Sequence, residues 1–391
     1  MIPELPADCW LMRAHDYVRQ RSMLPDWVSF WTLMAYCGAA LQDHVYVAWS
    51  GKPVFPNLPL LLVLPSGTGK TTTMNTIKPI FRNCLPRTIP EDSTAESAIR
   101  ILSSQCMSRF SNSVALWEVP ELADVFGRKD YQQGMIARIT RLLDAPKDRE
   151  ISRATGNVQF QIRGHAVLNW IAGTTFEWLQ LHVEDAVTSG GFLPRLLIIY
   201  TNEDPKWIPD PQRDEATENA LNQELYAIIS GVASPTQRII SLDEKWTSVS
   251  RQCYEDLLKL RKDSFSGPFV ARRQENILRI YMILNTLTTS YDTLTTSTRC
   301  AQFLENQAFR LSQDLLFTTN RLFEKVLGYV VSHPKGASFA AVCRGIRGAT
   351  ARAIGECLED LVKRGLVEWN PRGYGETGIV RPIVAVEDNQ R

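Results

Sequence analysis

The run Pro65-Ser66-Gly67-Thr68-Gly69-Lys70-Thr71-Thr72 follows directly on the apolar stretch Leu58 to Leu64. Glycine in two places lets the backbone turn with positive φ, so that successive N–H groups converge on an anion. A helix opening at Lys70 would add the partial positive charge of its N-terminus. A lysine at that position reaches β- and γ-phosphates, and a hydroxyl beside it ligates Mg²⁺. The pattern predicts ATP and Mg²⁺ as cofactors. Ser66, Gly67, Thr68, Gly69, Lys70, Thr71 and Thr72 would surround the phosphates, with the Thr71 hydroxyl on the metal. One departure stands out: Leu64 occupies the place where the usual loop has its first glycine.

Phosphoryl transfer also needs a carboxylate for the attacking water or the metal's water shell, a polar group near the γ-phosphate and a cation for the developing charge. Val114-Ala115-Leu116-Trp117-Glu118-Val119-Pro120-Glu121 ends an apolar run in two acids, with Glu118 the expected water-positioning and metal-side carboxylate and Glu121 the other candidate. The usual Asp-Glu pair is absent, because Trp117 precedes Glu118. Thr174, or Asn169 earlier in the same apolar run, is placed to orient a water. Arg195, after Gly190-Gly191-Phe192-Leu193-Pro194, is placed to act on a neighbouring subunit's nucleotide, with a purely structural arginine as the alternative.

These groups need a scaffold. Leu58–Leu64, Arg87–Ile89, Val114–Trp117, Ala166–Ala172 and Leu196–Tyr200 read as strands, several of them apolar throughout as in a parallel sheet covered on both faces. Helical spacing fills the intervals, so residues 51–202 form an α/β core. Ser93 followed by Glu96 predicts a capping box for one of these helices. Ahead of the core, Trp10–Arg19 and Trp27–Leu41 read as helices and His44–Trp49 as a strand. Three prolines between Asn202 and Glu215 suggest a linker, followed by helical segments near 217–230, 243–262, 268–288 and 298–327.

The last seventy residues read as helices at 322–332, 339–345 and 349–364, then a hairpin, which suggests a winged helix. Seven basic residues stand against four acidic ones over 335–372, with Arg352, Lys363 and Arg372 the candidates for DNA. Alternation on both sides of Thr155-Gly156-Asn157 predicts a second hairpin, carrying Arg149, Arg153 and Arg163.

Composition bounds the rest. A chain of 391 residues with 44% hydrophobic and 22% charged residues is an ordinary multi-domain globular protein. The expected divisions are an N-terminal helical region (1–50), the ATPase core (51–202), a helical lid (203–321) and the winged helix (322–391). A formal charge of +1 excludes a global positive field, so any DNA contact must be local. Eight cysteines without metal-site spacing read as reduced, mostly buried thiols, and no stretch is long enough to span a bilayer, which points to a cytoplasmic protein without a membrane partner.

Taken together, the phosphate loop, Phe55-Pro56-Asn57, the Trp117–Leu122 segment, Ala172-Gly173-Thr174-Thr175, Gly190–Arg195 and Ala271-Arg272-Arg273-Gln274-Glu275 with Arg279 resemble a family of phage, plasmid and prophage primase/helicase-associated P-loop ATPases, distantly similar to AAA+ helicases. The resemblance spans about residues 8 to 315. It implies a mostly parallel AAA+/RecA-like sheet between helices, and a homo-oligomer such as a hexameric ring that acts on single-stranded or forked DNA. It also implies a primase or other replication proteins as partners, and a hairpin before the sensor strand that grips DNA phosphates. The function expected is an ATP-dependent, replicative helicase-like motor of a mobile element. An ATP-gated DNA-binding scaffold for replication initiation or transposition, and an immunity or signalling NTPase, stay open as alternatives.

Overall fold

A computed structural model describes the chain except for residues 127–128, 153–158, 181–190, 234–235, 243, 262–265, 289–291, 347–348, 364, 370–377 and 384–391. Two compact units result, Met1–Arg310 and Leu311–Arg391.

The first unit opens with α1 (Trp10–Arg19) and α2 (Asp26–Leu41). Pro25 and Asp26 suit a helix start, one by its fixed φ and the other by its charge. From Val28 to Leu41 every residue of α2 is buried, and the Ser29 and Thr32 hydroxyls donate back to the Asp26 and Val28 carbonyls of the same helix. Next come β1 (Val45–Trp49), β2 (Lys52–Val54), β3 (Leu60–Val63), α3 (Lys70–Ile77), a 3₁₀ turn (Lys78–Phe81) and β4 (Thr88–Ile89). The chain continues through α4 (Ala95–Gln105), β5 (Ser113–Val119), α5 (Leu122–Phe126), α6 (Lys129–Leu143), β6 (Lys147–Ser152), β7 (Gln159–Thr174) and β8 (Leu197–Tyr200). The cap of α4 falls one residue after the expected Ser93: the Thr94 hydroxyl accepts from Ser97 N–H.

The central sheet is mixed α/β in character and mostly parallel, in the order β4-β5-β7-β3-β8, with β6 added antiparallel to β7. From β3 the chain passes two positions to reach β4 at the edge, returns through β5 and β7, and only then places β8 on the other side. A strand whose neighbours are reached in opposite directions opens a crevice at its carboxyl end. All four residues of β3 are buried. The expected hairpin corresponds to the antiparallel β6–β7 pair, with Ser152 opposite Gln159; Arg153 and the residues up to 158 lie outside the described residues.

Helices α7 (Glu215–Val232), α8 (Trp246–Leu260), α9 (Ser266–Val270) and α10 (Arg273–Leu287) follow, with the short β9 (Arg238–Ile239) pairing with β1. One core joins α1, α2, the face of the sheet and the later helices α7, α8 and α10: Trp10, Trp31, Tyr36, Leu60, Phe81, Leu225 and Leu284 all belong to it. The segment between β8 and α7, expected as a linker, is strapped to the turn between α1 and α2. Lys206 N–H donates to the Met23 carbonyl at 2.7 Å, Trp27 Nε1 to Glu203, and Arg21 Nε to the Gln212 carbonyl.

The segments read as separate helices near 298–327 and 322–332 are one, α11 (Thr293–Val331). In the second unit α12 (Phe339–Gly345) and α13 (Ala351–Lys363) pack with a sheet of β10 (Ala337–Ser338), β11 (Val367–Trp369) and β12 (Ile379–Pro382), ordered β10-β12-β11 and antiparallel. Val330, Val342, Ile354, Leu358, Leu361 and Val380 form its core. Among the described residues no helix is long and apolar enough to cross a membrane, and all eight cysteines are free.

Candidate functional site

The loop leaves the carboxyl end of β3 and turns on Gly67 (φ +77) and Gly69 (φ +85), conformations that side chains disfavour. Gly69 caps α3 in the left-handed region, so Lys70 is the first helical residue. Ser66, Gly67, Thr71 and Thr72 are exposed, whereas Thr68 is buried and its hydroxyl donates to the Pro65 carbonyl at 3.0 Å. Backbone N–H groups at a helix start beside a lysine and an exposed threonine hydroxyl make the donor set a polyphosphate with Mg²⁺ requires.

Lys70 is 6% exposed, and its ammonium reaches the carbonyls of Leu64 and Thr174 at 3.4 Å each and Glu121 Oε1 at 3.5 Å. Gly173 makes room for this arrangement, since a methyl group there would lie 2.3 Å from the Pro120 carbonyl oxygen and 3.3 Å from Lys70 Cδ. Register explains which acid meets the lysine. Val63 pairs with Thr174, while Glu118 pairs with Ile171, three residues short of that level. Carrying the same offset along the chain leaves Glu121 level with Thr174, at the edge where the loop begins.

Glu118 is engaged elsewhere. It is 6% exposed, its Oε2 lies 2.7 Å from Lys78 Nζ, and its Oε1 accepts from the Tyr36 hydroxyl. Burial, reinforced by the Glu118 charge, pushes the Tyr36 hydroxyl well above its ordinary value, which keeps it a donor. The carboxylate chosen from sequence for the water thus joins α2 to the end of the loop's helix, and Glu121 is the acid beside the loop. Neither Tyr36 nor Lys78 carried a motif signal.

Thr174 sits at the crevice with 1% exposure, its carbonyl accepting from Leu64 N–H at 3.1 Å. Asn169 does not join it. Opposite Leu116 in mid-sheet, its amide donates to the Ala115 carbonyl at 3.3 Å.

Arg195 is not brought to the loop either. β8 runs parallel to β3 with Tyr200 level with Val63, so Arg195, in the short 3₁₀ turn Leu193–Arg195 that leads into the amino end of β8, lies at the opposite end of the sheet from the loop. There it makes a two-point contact with Asp144, at 2.9 and 2.8 Å, and donates to the Gly191 carbonyl. Arg272 reaches the same Asp144 at 3.0 Å and also Glu275, which Arg279 holds at 2.6 Å. Burial alone would raise the Asp144 carboxyl, but hydrogen bonds and charge from Arg195 and Arg272 outweigh it and hold it below its usual range. Arg273 forks onto Glu305 at 2.7 and 2.6 Å, tying α10 to α11. The arginine-rich motif is therefore largely occupied with intrachain acids that carried no signal in the sequence.

Of the DNA candidates, Arg163 is exposed on β7 and Arg352 is exposed on α13, paired with Glu356 at 2.6 Å. Arg149 lies on β6 and Lys363 ends α13; Arg153 and Arg372 fall outside the described residues.

No family model and no curated protein matches this chain. Among solved structures it is similar to the SCCmec type IV Cch active helicase, with a TM-score of 0.44 and 11% identity over 98% of this chain and 71% of that one. It is also similar to Drosophila ORC bound to DNA, with a TM-score of 0.26 and 10% identity over 98% and 92% of the two chains. Likeness at this level says nothing about activity.

Proposed function

We propose that this protein is an ATP-hydrolysing P-loop motor of AAA+-like build that acts on DNA as a homo-oligomer, a replicative helicase or close relative from a mobile element. The observation that carries the reading is the meeting of Lys70, Thr174 and Glu121 at the carboxyl edge of a mostly parallel sheet, beside a glycine-turned loop that opens a helix. Residues 1–50, 51–202, 203–321 and 322–391 then serve as support, motor core, lid and winged-helix module.

Bound Mg-ATP supplies the phosphoryl group and part of the charge neutralisation. The loop N–H groups and Lys70 hold its phosphates, and the exposed Thr71 hydroxyl is the side chain that would ligate the metal. Glu121 orients and deprotonates the attacking water, while Thr174 lines the crevice at the same level. Arg163 on the hairpin strand and Arg352 on α13, both exposed, would meet DNA phosphates.

Lys70→Ala tests the reading. It should abolish ATP turnover while circular dichroism and the unfolding midpoint stay close to wild type, because the change opens no large core cavity. Retained turnover would sink the assignment. A wild-type protein that hydrolyses ATP but never separates a forked duplex would be a scaffold in place of a helicase.

A further inference from the structure

Trp207 is the most exposed large apolar side chain among the described residues, at 83%. A lone exposed tryptophan needs no explanation by itself. Its position supplies one. Met23, half-buried, packs on the phosphate loop: a methyl group on Gly69 would lie 3.4 Å from Met23 Cβ and 3.6 Å from its sulfur. The adjacent Ser22 hydroxyl is 2.6 Å from that of Thr73 on the loop's helix. The Met23 carbonyl in turn accepts the Lys206 N–H at 2.7 Å, and Trp207 is the next residue. Gly69, Met23, Lys206 and Trp207 are thus successive links of one short chain of contacts.

The segment that presents Trp207 is held firmly. Pro205 and Pro209 flank it and restrict the backbone on either side. The Lys206 ammonium is anchored to Asp26 at 2.5 Å and to the Arg19 carbonyl at 3.0 Å. An indole on a pre-ordered backbone loses little freedom when it stacks, and the polarisable Met23 thioether suits the edge of an aromatic ring.

We propose that Trp207 is the stacking platform for the base of the nucleoside triphosphate whose phosphates the Ser66–Thr72 loop holds, with Met23 filling the space between. This rests on the phosphate-loop reading above. Stacking on an indole is tolerant of base identity, so the site selects for a nucleobase over a bare polyphosphate and discriminates little between ATP and GTP.

The test is equilibrium competition against a fluorescent ATP analogue, with Mg-ATP, Mg-tripolyphosphate and a single-stranded oligothymidylate as probes. Trp207→Ala should weaken ATP on the order of tenfold or more while tripolyphosphate binds as it does to wild type. Trp207→Phe should keep most of the ATP affinity. Unchanged ATP affinity in Trp207→Ala overturns the proposal, as does an equal loss for ATP and tripolyphosphate, which would mean a disturbed loop. Weakened oligothymidylate with unchanged ATP overturns it too, by assigning the indole to a DNA strand. If neither ATP nor tripolyphosphate binds wild type, the phosphate-loop reading falls and the platform with it.

Discussion

Glu118 and Glu121 stand three positions apart at the end of one strand, and their surroundings give them different work. A buried carboxylate that accepts from Tyr36 and pairs with Lys78 is held away from the loop, and moving it would strand a buried hydroxyl. Glu121 pairs with Lys70 and its side chain is 47% exposed, so it can turn toward a water at the loop. Glu121→Gln should therefore lower ATP turnover about 10²- to 10⁴-fold, the usual weight of a positioned base, with ATP binding nearly intact. Glu118→Gln should instead lower stability by about 1–3 kcal/mol through weakened hydrogen bonds and leave most turnover in place. Steady-state rates and urea midpoints of the two variants decide between them; a dead Glu118→Gln enzyme beside an active Glu121→Gln one would reverse the assignment.

Among the elements, β7 has the widest reach. Its carboxyl end brings Gly173 and Thr174 to the loop, while its first residues pair with β6 beyond the opposite edge of the sheet. From Ala166, where pairing with β5 begins, to Thr174 the strand covers roughly 26 Å. The hairpin and the carbonyl that accepts from Lys70 thus belong to one strand, which bends at Gly164 (φ +61). If the hairpin grips DNA phosphates, Arg163→Ala should weaken binding to all sequences alike and reduce the salt slope of log affinity by about one. Titrations at several salt concentrations measure this, and an unchanged slope would leave DNA contact to the second unit or to none.

At the scale of the whole molecule, the sheet separates Arg195 from its own loop by its full height, so a catalytic Arg195 can serve only another copy's nucleotide. To do so it must also release or share Asp144. Arg195→Ala should then bind ATP yet lose on the order of 10³-fold in turnover, and Lys70→Ala should be inactive. Mixing the two should restore activity at boundaries where an intact Arg195 faces an intact Lys70, and the rescue should fade on dilution. A mixture that co-assembles and stays inactive would confine Arg195 to its contacts with Asp144 and Gly191.

Local pattern was enough for the strand, loop and helix that run from Leu58 to Ile77, because continuous apolar runs, positive-φ glycines and a helix start are properties of neighbouring residues. The same holds for the buried α2, the parallel strands and the antiparallel pairing of β6 with β7. Two short-range readings missed by small margins: the cap of α4 lies at Thr94, and the helices read apart near residue 322 are continuous. The different partners of Glu118 and Glu121 were beyond any local rule, since they depend on the register of β5 against β7 and on a tyrosine 82 positions away. Asp144 and the strapping of the 203–212 segment to the α1–α2 turn were hidden for the same reason. A lone aspartate or a proline-rich stretch acquires its meaning from partners that only chain folding brings within hydrogen-bonding distance, and no spacing in the sequence encodes them.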